Sequence, residues 1–238
     1  MTEAAVNNHE QDPPAPQIHH LHSINSTILI RQLPFQGLSF QLWPAAATLV
    51  SLLDRQALPL LPPPSPNRPL RLLELGSGTG LVGIAAAAVL GAAVTVTDLP
   101  HVLPNLQFNV DANAAALAPR GGHVRVAALS WGDEAQMEEV GTKFDVVLGS
   151  DVVYHDHLYE PLLQTLRFLL LGREREREVV FVMAHLKRWK KESAFFKKAN
   201  KFFHVEIVHR DSPTNGDRVG VNVYTFVRRT HAAVKSSK

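Results

Sequence analysis

The sequence predicts a doubly wound α/β fold: a seven-stranded, mostly parallel sheet with helices on both faces and its last two strands antiparallel. Three observations carry this. From Leu70 onward, short apolar runs rich in Val and Leu alternate with helical segments, a pattern that needs crossover connections and a sheet buried on both sides. The final two runs are joined by the polar turn DSPTNGDRVG instead of a helix, so they pair antiparallel. Internal repeats of the length that builds solenoids or propellers are missing.

The elements follow in order. Residues 1–17 are polar and contain prolines, without a basic start or an apolar run, so they read as a disordered arm and not a secretory leader. Residues 18–230 form one domain, and 231–238 a disordered basic tail. Ile24–Leu33 reads as a strand, and Trp43–Leu53 as a helix with Pro44 in its first turn. Six prolines between Pro59 and Pro69 remove too many N–H donors for a helix or central strand, so 59–69 is an extended connector.

The regular alternation then begins. Leu70–Leu75 is a strand, Gly80–Leu90 a helix, and Ala93–Thr97 a β-branched strand closed by Asp98. A helix over Leu103–Ala116 is broken by Pro119, Gly121 and Gly122. Strands at Val124–Leu129 and Phe144–Leu148 precede a helix over Leu158–Leu171. A strand at Val179–Met183, a helix over Lys187–Phe203 and strands at Val205–His209 and Val221–Arg228 complete the chain.

Composition removes several function classes. The chain has 238 residues, 45% of them hydrophobic, enough for one large core. It has no cysteine, which excludes disulfides, thiolate nucleophiles and Cys-based metal sites, and fits a reducing compartment. A formal net charge of +2 gives no global attraction for nucleic acid. No stretch has the apolar length of a transmembrane helix. The chain reads as soluble and cytoplasmic with possible access to the nucleus, and as a monomer. His19, His20 and His22 read as part of the disordered arm and His155 and His157 as part of a loop, so no metal is expected.

The chemistry concentrates at Glu74-Leu75-Gly76-Ser77-Gly78-Thr79-Gly80, between the first sheet strand and a helix. Glycines there allow a tight turn and close approach of a ligand to the backbone, and the helix start offers free N–H groups. Asp98 ends the next strand, where a carboxylate is placed to accept both hydroxyls of a ribose. Nicotinamide dinucleotides and S-adenosylmethionine both fit such a site. A dinucleotide turn wants G-x-G-x-x-G, whereas this one reads G-x-G-x-G. Glu74 beside it would repel a pyrophosphate and attract an ammonium, which favours S-adenosylmethionine.

Four blocks, ELGSGTGLVGI (Glu74–Ile84), VTDLPHVLPNLQFNVDAN (Val96–Asn113), LSWG (Leu129–Gly132) and FDVVLGSDVVY (Phe144–Tyr154), resemble the protein-lysine methyltransferases of methyltransferase family 16. The resemblance spans Ile24 to Arg228. It implies a Rossmann-like, seven-stranded class I S-adenosylmethionine-dependent methyltransferase fold and, as partner, a protein substrate such as a chaperone or an AAA-type ATPase. It further implies that Trp43 contacts the cofactor, that Gly76, Ser77 and Gly78 hold its methionyl part with Glu74 beside them, and that Asp98 binds the ribose. Trp131 then lies beside the adenine, Ser150 lines the pocket, and Asp151 and Tyr154 stand at the transferable methyl. The segment His185–Trp189 faces the substrate and differs from the arrangement in several animal relatives.

Each residue also has a plainer reading. Trp43 on an amphipathic helix is core, Trp131 a rim aromatic over the sheet, Asp151 a helix cap and Tyr154 a packing tyrosine. The alternating run Arg173–Glu178 is a solvated loop. In the helix over Lys187–Phe203, the stripe of Trp189, Phe195, Phe196, Ala199, Phe202 and Phe203 is apolar and the remaining face basic. That face is either solvated or a dock for an acidic protein.

Methyl transfer to lysine needs a neutral amine. At pH 7 an amine of pKa ~10.4 is neutral about once in 2,500, a cost of about 4.6 kcal/mol. A carboxylate is too weak a base for that proton. Asp151 is therefore expected to attract and orient the ammonium, Tyr154 to shape the pocket, and water to take the proton. Asp151-Val-Val-Tyr154 lacks the prolines expected of enzymes that methylate bases or glutamine. A small-molecule methyltransferase and a non-catalytic cofactor-binding adaptor are the alternatives.

Overall fold

The computed structural model describes residues 15–58, 61–62, 68–172, 178–213 and 219–229. Most of the expected arm, most of the Pro-rich connector, residues 173–177 of the alternating run, residues 214–218 of the polar turn and the expected tail lie outside them.

The expected sheet is present. Its strands are β3 (Arg71–Leu75), β4 (Ala93–Asp98), β5 (His123–Ala128), β6 (Val146–Ser150), β7 (Val180–His185), β8 (Phe203–Arg210) and β9 (Asn222–Arg228), in the spatial order β5-β4-β3-β6-β7-β9-β8. The five strands from β3 to β7 run parallel, and β9 pairs antiparallel with both β7 and β8. Strand order reverses between β3 and β6. The carboxyl ends of those two strands open the crevice where an α/β sheet binds ligands.

Helices cover both faces. On one side lie α1 (Pro44–Asp54), α2 (Leu81–Leu90), α3 (Leu103–Ala112) and the short α4 (Ala114–Leu117), and α2 is buried from Leu81 to Val89. A helix that is apolar all round belongs inside, which explains its run of alanines. On the other side α5 (Glu134–Val140), α6 (Tyr159–Leu171) and α7 (Ser193–Ala199) pack a second cluster around Phe181, Phe195, Phe203 and Phe226.

Three elements differ from expectation. Gln17–Leu21 is a strand, β1, paired antiparallel with β2 (Ser26–Ile30), so the His19–His22 cluster sits on a hairpin and not in a loose arm. The helix α5 was not expected. Its signal was Asp133, whose side chain accepts the Gln136 N–H at 3.0 Å and so caps the helix start, while Gln136 Oε1 reaches back to accept the Ser130 N–H at 2.6 Å. The long helix expected over Lys187–Phe203 is only a turn at Lys190–Glu192 and seven-residue α7. Side-chain anchors at its start hold residues 186–189 out of the helix, and Phe203 already belongs to β8.

The β1–β2 hairpin would expose an unpaired strand edge, and α3 covers it with asparagines. Asn105, Asn109 and Asn113 are four residues apart and share one helix face. Asn113 accepts the Leu29 N–H and donates to the Leu29 carbonyl, both at 2.8 Å. Asn109 does the same to Arg31 at 2.9 and 3.1 Å and also donates to the Thr79 carbonyl at 2.9 Å. Asn105 accepts from Arg31 Nε at 2.8 Å. The helix thus completes the strand's hydrogen bonds. Asn109→Ala would take the partner from the half-buried Arg31 N–H and from the buried Thr79 carbonyl. It should cost about 2–4 kcal/mol and lower Tm by roughly 5–15 °C. Thermal unfolding checks this, and a shift within error would show the ladder to be dispensable.

Candidate active site

The turn after β3 is shaped by its glycines. Gly76 and Gly78 have φ of 59° and 55°, the left-handed region that L side chains avoid. A Cβ at Gly76 would meet the Trp131 ring at 3.0 Å, and one at Gly83 would meet Glu74 Oε2 at 2.8 Å. The second glycine lets α2 press its backbone onto Glu74, whose Oε2 accepts the Gly83 N–H at 2.9 Å.

Glu74 is buried, and its other oxygen, Oε1, has no hydrogen-bond partner among the described residues. Burial above all, with the nearby Asp98 charge adding to it, pushes the carboxyl up to about 8. Asp98, at the end of β4, accepts the Gly78 N–H on Oδ2 and the Leu99 N–H on Oδ1, both at 2.8 Å. Burial raises its pKa also, against those two bonds. The Ser77 hydroxyl is committed inside the fold, accepting the Thr97 N–H at 3.0 Å and donating to the Glu74 carbonyl at 3.3 Å. Ser77 can offer a ligand little beyond its place in the turn.

These groups face a cavity of about 500 Å³, and all ten residues singled out in the sequence line it: Trp43, Glu74, Gly76, Ser77, Gly78, Asp98, Trp131, Ser150, Asp151 and Tyr154. That size suits a small-molecule cofactor. Trp43 stands just before α1, with its Nε1 donating to the Leu38 carbonyl at 3.0 Å, so it faces the cavity and not the core. The Tyr154 phenol is held above its usual pKa by burial and then by Asp98. It stays protonated at neutral pH and is no base.

Asp151 follows β6 with φ of 53°, a conformation Asp tolerates better than most residues. It caps no helix. Its Oδ1 accepts the Leu186 N–H at 2.9 Å, and its Oδ2 accepts from Arg188 Nη2 at 3.0 Å. His185 Nδ1 faces Oδ1 at 3.5 Å, and His185 Nε2 faces Glu192 Oε2 at 3.2 Å. Burial would raise the Asp151 pKa, but the contacts from His185, Arg188 and the Leu186 N–H outweigh it and hold the carboxyl below its ordinary value. Asp151 is therefore ionised at neutral pH, as expected, but its charge is already met by Arg188.

Arg188 and Trp189, in the segment expected to face the substrate, and Lys191, expected on the basic face of a helix, also line the cavity. Trp189, placed in the apolar stripe of a helix, is instead 60% exposed. The readable signal was position, since residues after the fifth parallel strand fall beside the crevice. Among the described residues no group of His, Asp and Glu is arranged to hold a metal ion, and no helix is long and apolar enough to cross a membrane.

A seven-stranded sheet with this reversal and a glycine turn between two acidic strand ends defines the class I methyltransferase fold. Consistent with that, the structure is similar to that of a predicted O-methyltransferase from Agrobacterium tumefaciens, with a TM-score of 0.54, 18% identity, and coverage of 78% of this chain and 81% of that one. The family model described as lysine methyltransferase matches residues 23–202. Among curated relatives, the EEF1A lysine methyltransferase 3 of Mus musculus is 34% identical over 79% of this chain and 72% of its own. The protein N-lysine methyltransferase METTL21A of Mus musculus is 38% identical over 79% of each. The chain belongs to the lysine methyltransferase family.

Proposed function

We propose that the chain binds S-adenosylmethionine in this cavity and methylates the side-chain amine of a lysine in a protein substrate. The observation that carries the reading is Glu74 Oε1, a buried carboxyl oxygen beside the glycine turn without a hydrogen-bond partner among the described residues. A cofactor with an ammonium supplies the missing partner. Gly76, Ser77 and Gly78 would seat its methionyl part, Asp98 its ribose, and Trp131 its adenine, with Trp43 and Ser150 closing the pocket. When bound, the cofactor supplies a methyl group on a sulfonium.

The chain's own residues position the acceptor. Ionised Asp151 attracts the ammonium, neutral Tyr154 bounds the pocket beside Asp98, and no residue is placed as a strong base. The proton goes to water, and alignment is the enzyme's main contribution. The proposed substrate is a chaperone or an AAA-type ATPase, and a relative named for EEF1A makes EEF1A an equal member of the first screen. The proposed compartment is the cytoplasm, extending to the nucleus, in keeping with a cysteine-free chain.

The test is incubation with tritiated S-adenosylmethionine and a lysate lacking this enzyme. A labelled protein band carrying methyl-lysine is expected. Label confined to small molecules would replace the reading with a small-molecule methyltransferase, and cofactor binding without any label would replace it with an adaptor.

A pH profile tests Glu74. The free protein keeps this carboxyl protonated up to about 8, and pairing with an ammonium needs it ionised. Its proton favours the native state below the unfolded value, so stability of the free protein falls as pH rises from 4.5 towards about 8. Cofactor affinity moves the opposite way. Kd should fall several-fold between pH 6 and 8, by no more than about tenfold per unit, with release of a proton. Titration calorimetry in two buffers reads both quantities. Glu74→Gln should flatten the profile, and a flat wild-type profile would take Glu74 out of the pairing.

A further inference from the structure

The seat proposed for the acceptor ammonium is filled by a cation of the chain itself. Arg188 Nη2 lies 3.0 Å from Asp151 Oδ2, with the Asp151 side chain 4% exposed and that of Arg188 29%. The guanidinium is 5.1 Å from the centre of the Trp43 ring, and Nη1 donates to the Leu186 carbonyl at 3.2 Å. The other Asp151 oxygen is taken by the Leu186 N–H. With the Asp151 side chain almost wholly buried, an ammonium that is to reach Oδ2 must displace Arg188 from it.

The main chain around Arg188 is held by different bonds. Glu192, itself buried, accepts the Arg188 N–H at 3.1 Å and faces His185 Nε2 at 3.2 Å. The side chain can thus leave while the turn that carries it stays in place. Exchange of one cation for another keeps the buried carboxylate paired throughout, whereas an empty seat would leave an uncompensated charge. A guanidinium suits a resident cation because it does not lose its proton in the accessible pH range and offers no lone pair to a methyl donor.

We propose that Arg188 is a displaceable stand-in that occupies the acceptor's seat on Asp151 and sets the threshold a substrate lysine must exceed to enter. The proposal rests on the reading that Asp151 receives the acceptor ammonium.

Two variants test it. Arg188→Lys puts a methylatable amine on the same carboxylate. With S-adenosylmethionine the variant should methylate itself at position 188, at a rate per molecule independent of protein concentration. In that step the amine's lone pair forms the N–C bond as the donor's S–C bond breaks, the electron pair stays on sulfur, and the ammonium's proton goes to water. Peptide mass spectrometry reads the gain, and adding Asp151→Asn should abolish it. Arg188→Met keeps the stem and removes the charge. It should bind n-butylammonium, followed by NMR titration, about tenfold more tightly than the wild type, and lower the KM of a protein substrate by a similar factor. A purely structural arginine would move both in the opposite direction.

The proposal is overturned if folded Arg188→Met, checked by its melting curve, binds butylammonium no better than the wild type. It is equally overturned if folded Arg188→Lys stays unmodified while the wild type labels protein lysines. The butylammonium measurement needs no turnover, so it decides the seat even if no protein is labelled, the result that would sink the functional reading alone.

Discussion

Asp98→Ala should weaken S-adenosylmethionine binding by roughly 10- to 150-fold, about 1.5–3 kcal/mol, by removing charge-assisted hydrogen bonds to the ribose. Geometry complicates the variant, because Asp98 also anchors the Gly78 and Leu99 N–H groups. Loss of affinity with Ala alone would fit a collapsed turn as well as a lost ligand contact. Asp98→Asn separates the two. Burial raises the Asp98 pKa, so the group favours the native state below its unfolded value and loses that contribution as pH rises through its native one. Ionising the group is thus a cost to the free protein, met where a ligand uses the charge. Asn removes the charge and keeps one acceptor. Its Nδ2 then faces either the Gly78 or the Leu99 N–H, so the expected result is a Tm lowered less than by Ala together with weakened binding, read by thermal unfolding and titration calorimetry. Unchanged affinity in both variants would remove Asp98 from the site.

The fold and the pocket were legible in the sequence for different reasons. Strands β3, β4, β6 and β7 are largely buried and read as apolar runs, while the edge strand β5 exposes His123 and Arg125 and is marked by the glycines before it, so all five were located to within two residues. The ten site residues fall at strand ends and turns, where the order of the motifs fixes their place once the sheet is known. What stayed hidden depends on side-chain contacts between distant segments. The strand Gln17–Leu21 has two histidines and a glutamine and little strand character of its own. It forms through pairing with Ser26–Ile30, whose outer edge then docks on the asparagines of α3. The segment after β7 had helical spacing and was expected as one helix. Asp151, Glu192 and His185 instead hold residues 186–189 open at the cavity rim, and no local preference in LKRW announces that. The same contacts turn Trp189 from an expected core residue into a rim residue and bring Arg188 onto Asp151. Asp151 could be placed at the crevice from its position after a parallel strand, but its partners could not.

Asp151 should show the largest effect of any single substitution. If it orients the acceptor, Asp151→Asn should keep most cofactor affinity and lose at least ~100-fold in turnover, about 2.7 kcal/mol of barrier, because an unpositioned amine rarely lies in line with the methyl. Asn is the better probe than Ala. The backbone at 151 has φ of 53°, which Asn adopts readily and Ala does not, and an Asn oxygen can still accept the Leu186 N–H. Asp151→Ala should lose turnover at least as far but also stability, since it strains the backbone and strands both Leu186 N–H and Arg188. The carboxyl titrates below its ordinary value, so its contribution to stability is present above that ordinary value and lost only as pH falls through the native one. At saturating cofactor, which removes the Glu74 contribution, the pH dependence of turnover between about 6 and 9 therefore belongs to the acceptor amine, rising with pH as the ammonium loses its proton. Near-normal transfer by Asp151→Asn would end the orienting role. A variant that fails only because it has lost Tm would make Asp151 an anchor of the 185–192 turn. The remaining pattern, a folded Asn variant that binds cofactor, transfers no methyl and no longer gains from Arg188→Met, would place acceptor and Arg188 on the same oxygen.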